Sequence, residues 1–115
     1  MTDIACWTVE FYQDSRGHSP ALEFIQQLPK AERAEMIAVL DLLHEFGLAL
    51  KLPHARPVTK GLWELRAGAG RLFYLAYTGR CFVILHGYRK KSQQIPRREI
   101  EMALRHWADY LERKR

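Results

Sequence analysis

A chain of 115 residues can bury one hydrophobic core and is too short for two, so a single domain over residues 1–115 is expected. Its formal net charge of +5 hides an asymmetry, because residues 1–50 carry 3 basic and 8 acidic side chains while residues 51–115 carry 15 and 5. Cys6 and Cys81 are too few for a disulfide framework or a cysteine metal motif, no run approaches the roughly 18 apolar residues of a membrane helix, and an acidic start in place of a basic signal-peptide head points to the cytoplasm.

Ile4 to Phe11 sets Trp7, Val9 and Phe11 against Thr8 and Glu10, the period of two of a half-buried strand. Ser19 followed by Pro20 is a helix start: the hydroxyl serves as N-cap, Pro takes the first helical position and Glu23 favours the dipole. That helix is expected from Pro20 to Leu28, with Pro29 ending it. From Lys30 onward Met36, Ile37, Leu40, Leu43 and then Phe46 or Gly47 recur at helical spacing, and Gly47 stops the helix. The two helices form a hairpin that lays one apolar stripe on a sheet.

Residues 48–60 read as a loop. Gly61–Ala67, Arg71–Tyr77 and Cys81–Tyr88 read as three antiparallel strands, with glycine in both breaks supplying the positive φ of tight turns. Beyond Ile95 and Pro96, the residues Ile100, Ala103, Leu104, Trp107 and Leu111 form the stripe of a last helix. The order strand-helix-helix-strand-strand-strand-helix is that of an α+β fold. Its antiparallel sheet carries the helical hairpin on one face with the last helix beside it, which leaves the opposite, basic face as the working surface.

Positive charge concentrated this way suits a polyanion, which it binds through phosphate neutralisation and counterion release. An acidic protein would satisfy the same field. In "HGYRKK", Arg89, Lys90 and Lys91 are placed to grip phosphates and Tyr88 to stack on a base or donate a proton, although charge runs are commonly only solvated and an aromatic beside a glycine often just covers a sheet edge. Lys60 adds a cation ahead of the strands. Arg66 and Arg71 flank the turn "AGAG", and a guanidinium fork meets phosphate oxygens two at a time; Arg66 fits an ion pair with Glu64 equally well. With no carboxylate cluster in the basic half to hold Mg²⁺, no metal or cofactor is expected. For a general base, His86 inside "VILHG" reads also as a hydrogen-bonded core residue, Glu64 as the partner of Arg66, and His54 as a solvated loop side chain.

Four stretches in order, Gly61–Arg66 ("GLWELR"), Arg71–Tyr74 ("RLFY"), Leu85–Lys91 ("LHGYRKK") and Pro96–Ile100 ("PRREI"), resemble the RelE/HigB superfamily of toxin-antitoxin toxins in its phage-related HigB-like branch. The resemblance implies a RelE-like fold and metal-independent cleavage of mRNA by 2′-OH attack, typically in the ribosomal A site. Its implied partners are the ribosome, mRNA and a cognate antitoxin, a helix-turn-helix HigA-like protein. It also makes Arg71, opening the second strand of the meander, the arginine expected on the phosphate. The expected catalytic set is then Arg71, Arg66, Lys91, Glu64 and His86, with Arg89, Lys90, Tyr88 and Lys60 on the RNA. Some members place catalytic lysines in the first meander strand and a Tyr in the C-terminal segment, whereas "GLWELR" and "KKSQQIP" lack them. That leaves two alternatives, a non-catalytic nucleic-acid-binding module of a repressor complex and a ParE-like inhibitor of gyrase.

Overall fold

The computed structural model describes residues 7–114, so Ile4, Ala5 and Cys6 of the expected first strand lie outside the described residues. In chain order these form β1 (Thr8–Phe11), α1 (Pro20–Gln26), α2 (Lys30–Phe46), β2 (Ala55–Thr59), β3 (Leu62–Ala67), β4 (Gly70–Tyr77), β5 (Cys81–Arg89) and α3 (Arg97–Lys114). The sheet runs β1-β5-β4-β3-β2. β1 joins β5 in parallel, and the remaining pairs are antiparallel. The α+β architecture with a mostly antiparallel sheet expected from the sequence is therefore present.

Local chemistry accounts for the helix ends. The Ser19 hydroxyl accepts a hydrogen bond from the Leu22 N–H at 3.3 Å, with Pro20 in the first turn, as a capped helix start requires. α2 ends at Gly47, whose φ of 56° any side chain would strain. A Cβ there would also lie 2.1 Å from Trp7 Nε1, so glycine both stops the helix and admits the indole.

Two apolar layers clasp the sheet. Ala21, Ile25, Met36, Val39 and Leu43 of the hairpin meet Leu65, Leu72, Tyr74, Phe82 and Ile84 on one face. On the other, Ala103 and Tyr110 of α3, with Ile100, Leu104 and Trp107, meet Leu62, Phe73, Leu75, Val83 and Leu85. Removing each large apolar side chain from water stabilises the fold by about 1.5–3 kcal/mol.

Four expectations are corrected. The stretch read as a loop contains β2, which Pro57 had masked; a proline lacks the N–H of a ladder and is tolerated on an edge strand, which β2 is. α3 packs on the face opposite the hairpin rather than beside it, so part of the face expected to be open is covered. In α2 it is Val39 that is buried, while Ile37 and Phe46 are 47% and 50% exposed. In α3 Tyr110 is buried and Leu111 is exposed, because the Tyr110 hydroxyl has a partner at the sheet, donating to Glu10 Oε1 at 2.9 Å.

A β-bulge between β4 and β5 sets which side chains at the end of β5 share a face with α3. Tyr74 pairs with Ile84 but Phe73 pairs with His86, leaving Leu85 as the extra residue. Such an insertion re-aims every later side chain of the strand. Val83 and Leu85 both face α3, and so do Tyr88 and His86, packed over Phe73.

Candidate functional site

Two cross-strand rows on the α3 side meet around one carboxylate. Arg56 of β2, Glu64 of β3, Phe73 of β4 and His86 of β5 pair in succession, and beside them Arg66, Arg71 and Tyr88 do the same. Glu64 is wholly buried. Its Oε1 accepts from Arg56 Nε at 2.9 Å and lies 3.9 Å from Arg66 Nε and 3.8 Å from Arg71 Nε. Its Oε2 accepts from the Tyr88 hydroxyl at 3.1 Å. A buried carboxylate without partners would be very costly; here it is surrounded, and three guanidiniums around one carboxylate leave the cluster positive.

The three arginines differ in depth. The Arg71 side chain is 6% exposed, and its Nη1 donates to the carbonyls of Gly68 at 2.6 Å and Gly70 at 2.9 Å. Arg71 thus clamps the β3–β4 turn from beneath, and burial pushes its pKa down against the opposing pull of Glu64. Arg56 and Arg66 reach the surface, with 38% and 27% of their side chains exposed. The Arg66 Nε is buried without a hydrogen-bond partner among the described residues. Burial first, then the Glu64 charge and hydrogen bond, push the Tyr88 phenol far up, so it remains a protonated donor.

His86 is 8% exposed. Its Nε2 lies 2.6 Å from Glu99 Oε1 and its ring is stacked on Phe73, so it bolts β5 to the start of α3. Arg89 points to the other face and pairs with Glu32 of α2. The Lys90 N–H donates to the Ala69 carbonyl at 2.7 Å, while Lys91 is exposed on a groove lined also by Tyr88 and Arg98. Lys60 stands at the opposite end of β3 from Arg66, where it lines a separate groove with Arg97, Ile100 and Leu104.

Of the expected residues, then, Glu64, Arg66, Arg71 and Tyr88 come together; His86 is adjacent to them and Lys90 and Lys91 follow at the end of β5, whereas Arg89 is turned to the hairpin side and Lys60 lies at the far end of β3, so these two are not part of the cluster. Arg56 is the member that sequence reasoning missed. The alternation of His54, Arg56 and Val58 is the signal that points to it, and Pro57 hid that signal. His54 falls next to this cluster: its carbonyl accepts from the Arg66 N–H at 2.8 Å, which extends the β2–β3 ladder by one step. Among the described residues no group of three His, Cys, Asp or Glu side chains could hold a metal ion.

A family model described as phage derived protein Gp49-like matches residues 23–108. Among solved structures, the toxin-antitoxin complex RelBE2 from Mycobacterium tuberculosis contains a chain that superposes with a TM-score of 0.51 at 22% identity, covering 80% of this chain and 100% of that one. At that identity the likeness is one of fold. No curated protein matches the chain in sequence.

Proposed function

The chain belongs to the phage-derived Gp49-like family, a RelE-type toxin family, and on that premise we propose that it is the toxin of a toxin-antitoxin pair that acts by cutting mRNA on the ribosome. The observation that supports the cutting is the row of arginines gathered on buried Glu64 at the surface of a rigid sheet. Attack of a ribose 2′-oxygen on the adjacent phosphorus forms the 2′-O–P bond and breaks the P–O5′ bond. Negative charge grows on the non-bridging oxygens at the transition state, and donors already in place stabilise it without having to reorganise. Arg66 and Arg56 meet those oxygens, while Arg71 adds charge from below and holds the turn.

Glu64 in this reading positions the guanidiniums; buried beneath them, it does not reach the 2′-OH. His54, on the rim beside Arg66, takes the 2′-OH proton, as an imidazole can near neutral pH. The 5′-oxygen takes its proton from water. Lys90 and Lys91 hold flanking phosphates. An antitoxin partner of complementary charge blocks this face.

The test is to incubate the protein with ribosomes translating a defined mRNA and to map new 5′ ends, using a message whose scissile ribose is 2′-deoxy as the control. Cleavage of the natural message and survival of the deoxy one are expected. A cut at the deoxy position would overturn the mechanism. If induction in cells stops DNA replication before translation, the gyrase reading replaces this one.

A further inference from the structure

Beside the arginine row, at the rim where β5 passes into the loop before α3, lies a groove of about 280 Å³, close to the lower end of the roughly 300–1,000 Å³ typical of ligand sites. Its wall on the α1 side is Phe24, half-buried at the margin of the core. Phe24 can lie there because β5 has no side chain beneath it: a Cβ on Gly87 would sit 2.5 Å from Phe24 Cδ2 and 2.8 Å from Cγ. The remaining walls include Tyr88, Pro96 and three cations, Arg89, Lys91 and Arg98. The acid of the groove, Glu99, is engaged by His86 at 2.6 Å and by Arg98 at 3.6 Å. Arg89 is itself paired with Glu32 and Lys91 is exposed, so the groove presents aromatic walls with Lys91 as the cation at its open edge.

Tyr88 joins this groove to the cluster, since its hydroxyl is held by Glu64 while its ring is packed on Phe73 at 5.4 Å. A strand of RNA whose phosphate lies on Arg66 can therefore pass its next residue over Tyr88 into the groove. Aromatic walls beside a cation suit an unpaired base, because every base has a π-face and every nucleotide a phosphate.

We infer that this groove is a subsite for one unpaired nucleobase of single-stranded RNA next to the cut phosphate, and that Phe24 is its stacking and specificity-determining side chain. The inference rests on the RNA-cutting reading and extends it to how a particular position of the message is chosen.

The experiment uses the full chain and a short single-stranded RNA carrying a non-cleavable 2′-deoxy ribose at the cut. An abasic ribose is introduced at each position in turn, and binding is measured by fluorescence anisotropy. With the unsubstituted protein, one position flanking the cut should be sensitive, losing about tenfold in affinity when its base is removed. In Phe24→Leu, which preserves apolar volume at the margin of the core, that position should become insensitive, and in Phe24→Trp sensitivity should return. Equal affinity for all abasic RNAs, or undiminished sensitivity in Phe24→Leu, overturns the subsite while RNA binding itself stands. Failure of every RNA to bind the unsubstituted protein overturns both the subsite and the cutting reading.

Discussion

At the scale of single residues, the governing fact is that one buried carboxylate serves three arginines and a tyrosine. Glu64→Gln removes the only negative charge among the groups that meet there. Breaking a buried pair by deleting one partner typically costs about 3–5 kcal/mol, so the urea midpoint of unfolding should fall accordingly. Cleavage should slow as well, yet with the shape of its pH profile unchanged, since a positioning group does not carry the proton. Loss of the acid limb in Glu64→Gln would instead make Glu64 the base. The arginines should separate by depth: Arg66→Ala should lower single-turnover cleavage about 10²-fold, by analogy with removing one oxyanion donor, while destabilising the fold less than Arg71→Ala does, because Arg56 and Arg71 still partner Glu64. Arg71→Ala should impair both, because its guanidinium holds the turn carbonyls; equal stability loss in the two variants would contradict the depth argument.

At the scale of elements, α3 is tied to the sheet by polar contacts. His86 bonds Glu99, and its ring lies 5.8 Å from that of His106, which in turn stacks on Tyr12 at 4.8 Å. Burial chiefly, then His86 and Arg105, hold the His106 pKa below its usual 6.5, against the opposing pull of Asp109 and Asp14. A base whose folded pKa is depressed binds fewer protons folded than unfolded. Its neutral form is present in both states above about pH 6.5, and stability is lost as pH falls below that value. The thermal midpoint should therefore drop between about pH 7 and pH 5, and His106→Gln should flatten this drop. An unchanged slope in His106→Gln would assign the acid sensitivity elsewhere. On the same side of α3, one turn on, the Asp109 carboxylate accepts from the Tyr12 hydroxyl at 2.6 Å. Burial and that bond push the phenol up to about 12, so this tie survives throughout the same range.

At the scale of the whole molecule, charge is divided between the two sides of the sheet. The hairpin side comes from the acidic part of the chain, with Glu35, Asp41 and Glu45 exposed on α2, whereas the rim around β5 and the start of α3 presents Lys91, Arg97 and Arg98 to solvent. An RNA bound on the rim should weaken steeply as salt rises, because several phosphates exchange condensed counterions for side chains together. Lys91→Glu should lower affinity and reduce the slope of log K against log salt by about 1, or slightly more if the new carboxylate repels a second phosphate. Isothermal titration over a salt series reads both quantities; a salt-independent affinity would count against a phosphate-dominated interface.

What the sequence determined by itself was the local order. Ser19 and Pro20 start a helix, Gly47 ends one, and the alternating apolar residues of β3, β4 and β5 build a meander, because capping and side-chain periodicity act over a few residues. Glu64, Arg66, Arg71 and Tyr88 were legible as candidates because they sit within those readable strands. Tertiary structure alone decided that they meet. Simple alternation from Val83 places Tyr88 and His86 on the hairpin side, away from Arg71, and the bulge at Leu85 reverses this. Arg56 was hidden in a stretch broken by Pro57, and only pairing with β3, the strand that bears Glu64, makes that stretch a strand. Register and pairing depend on contacts between residues far apart in the chain, and one inserted residue is enough to turn every later side chain to the opposite face.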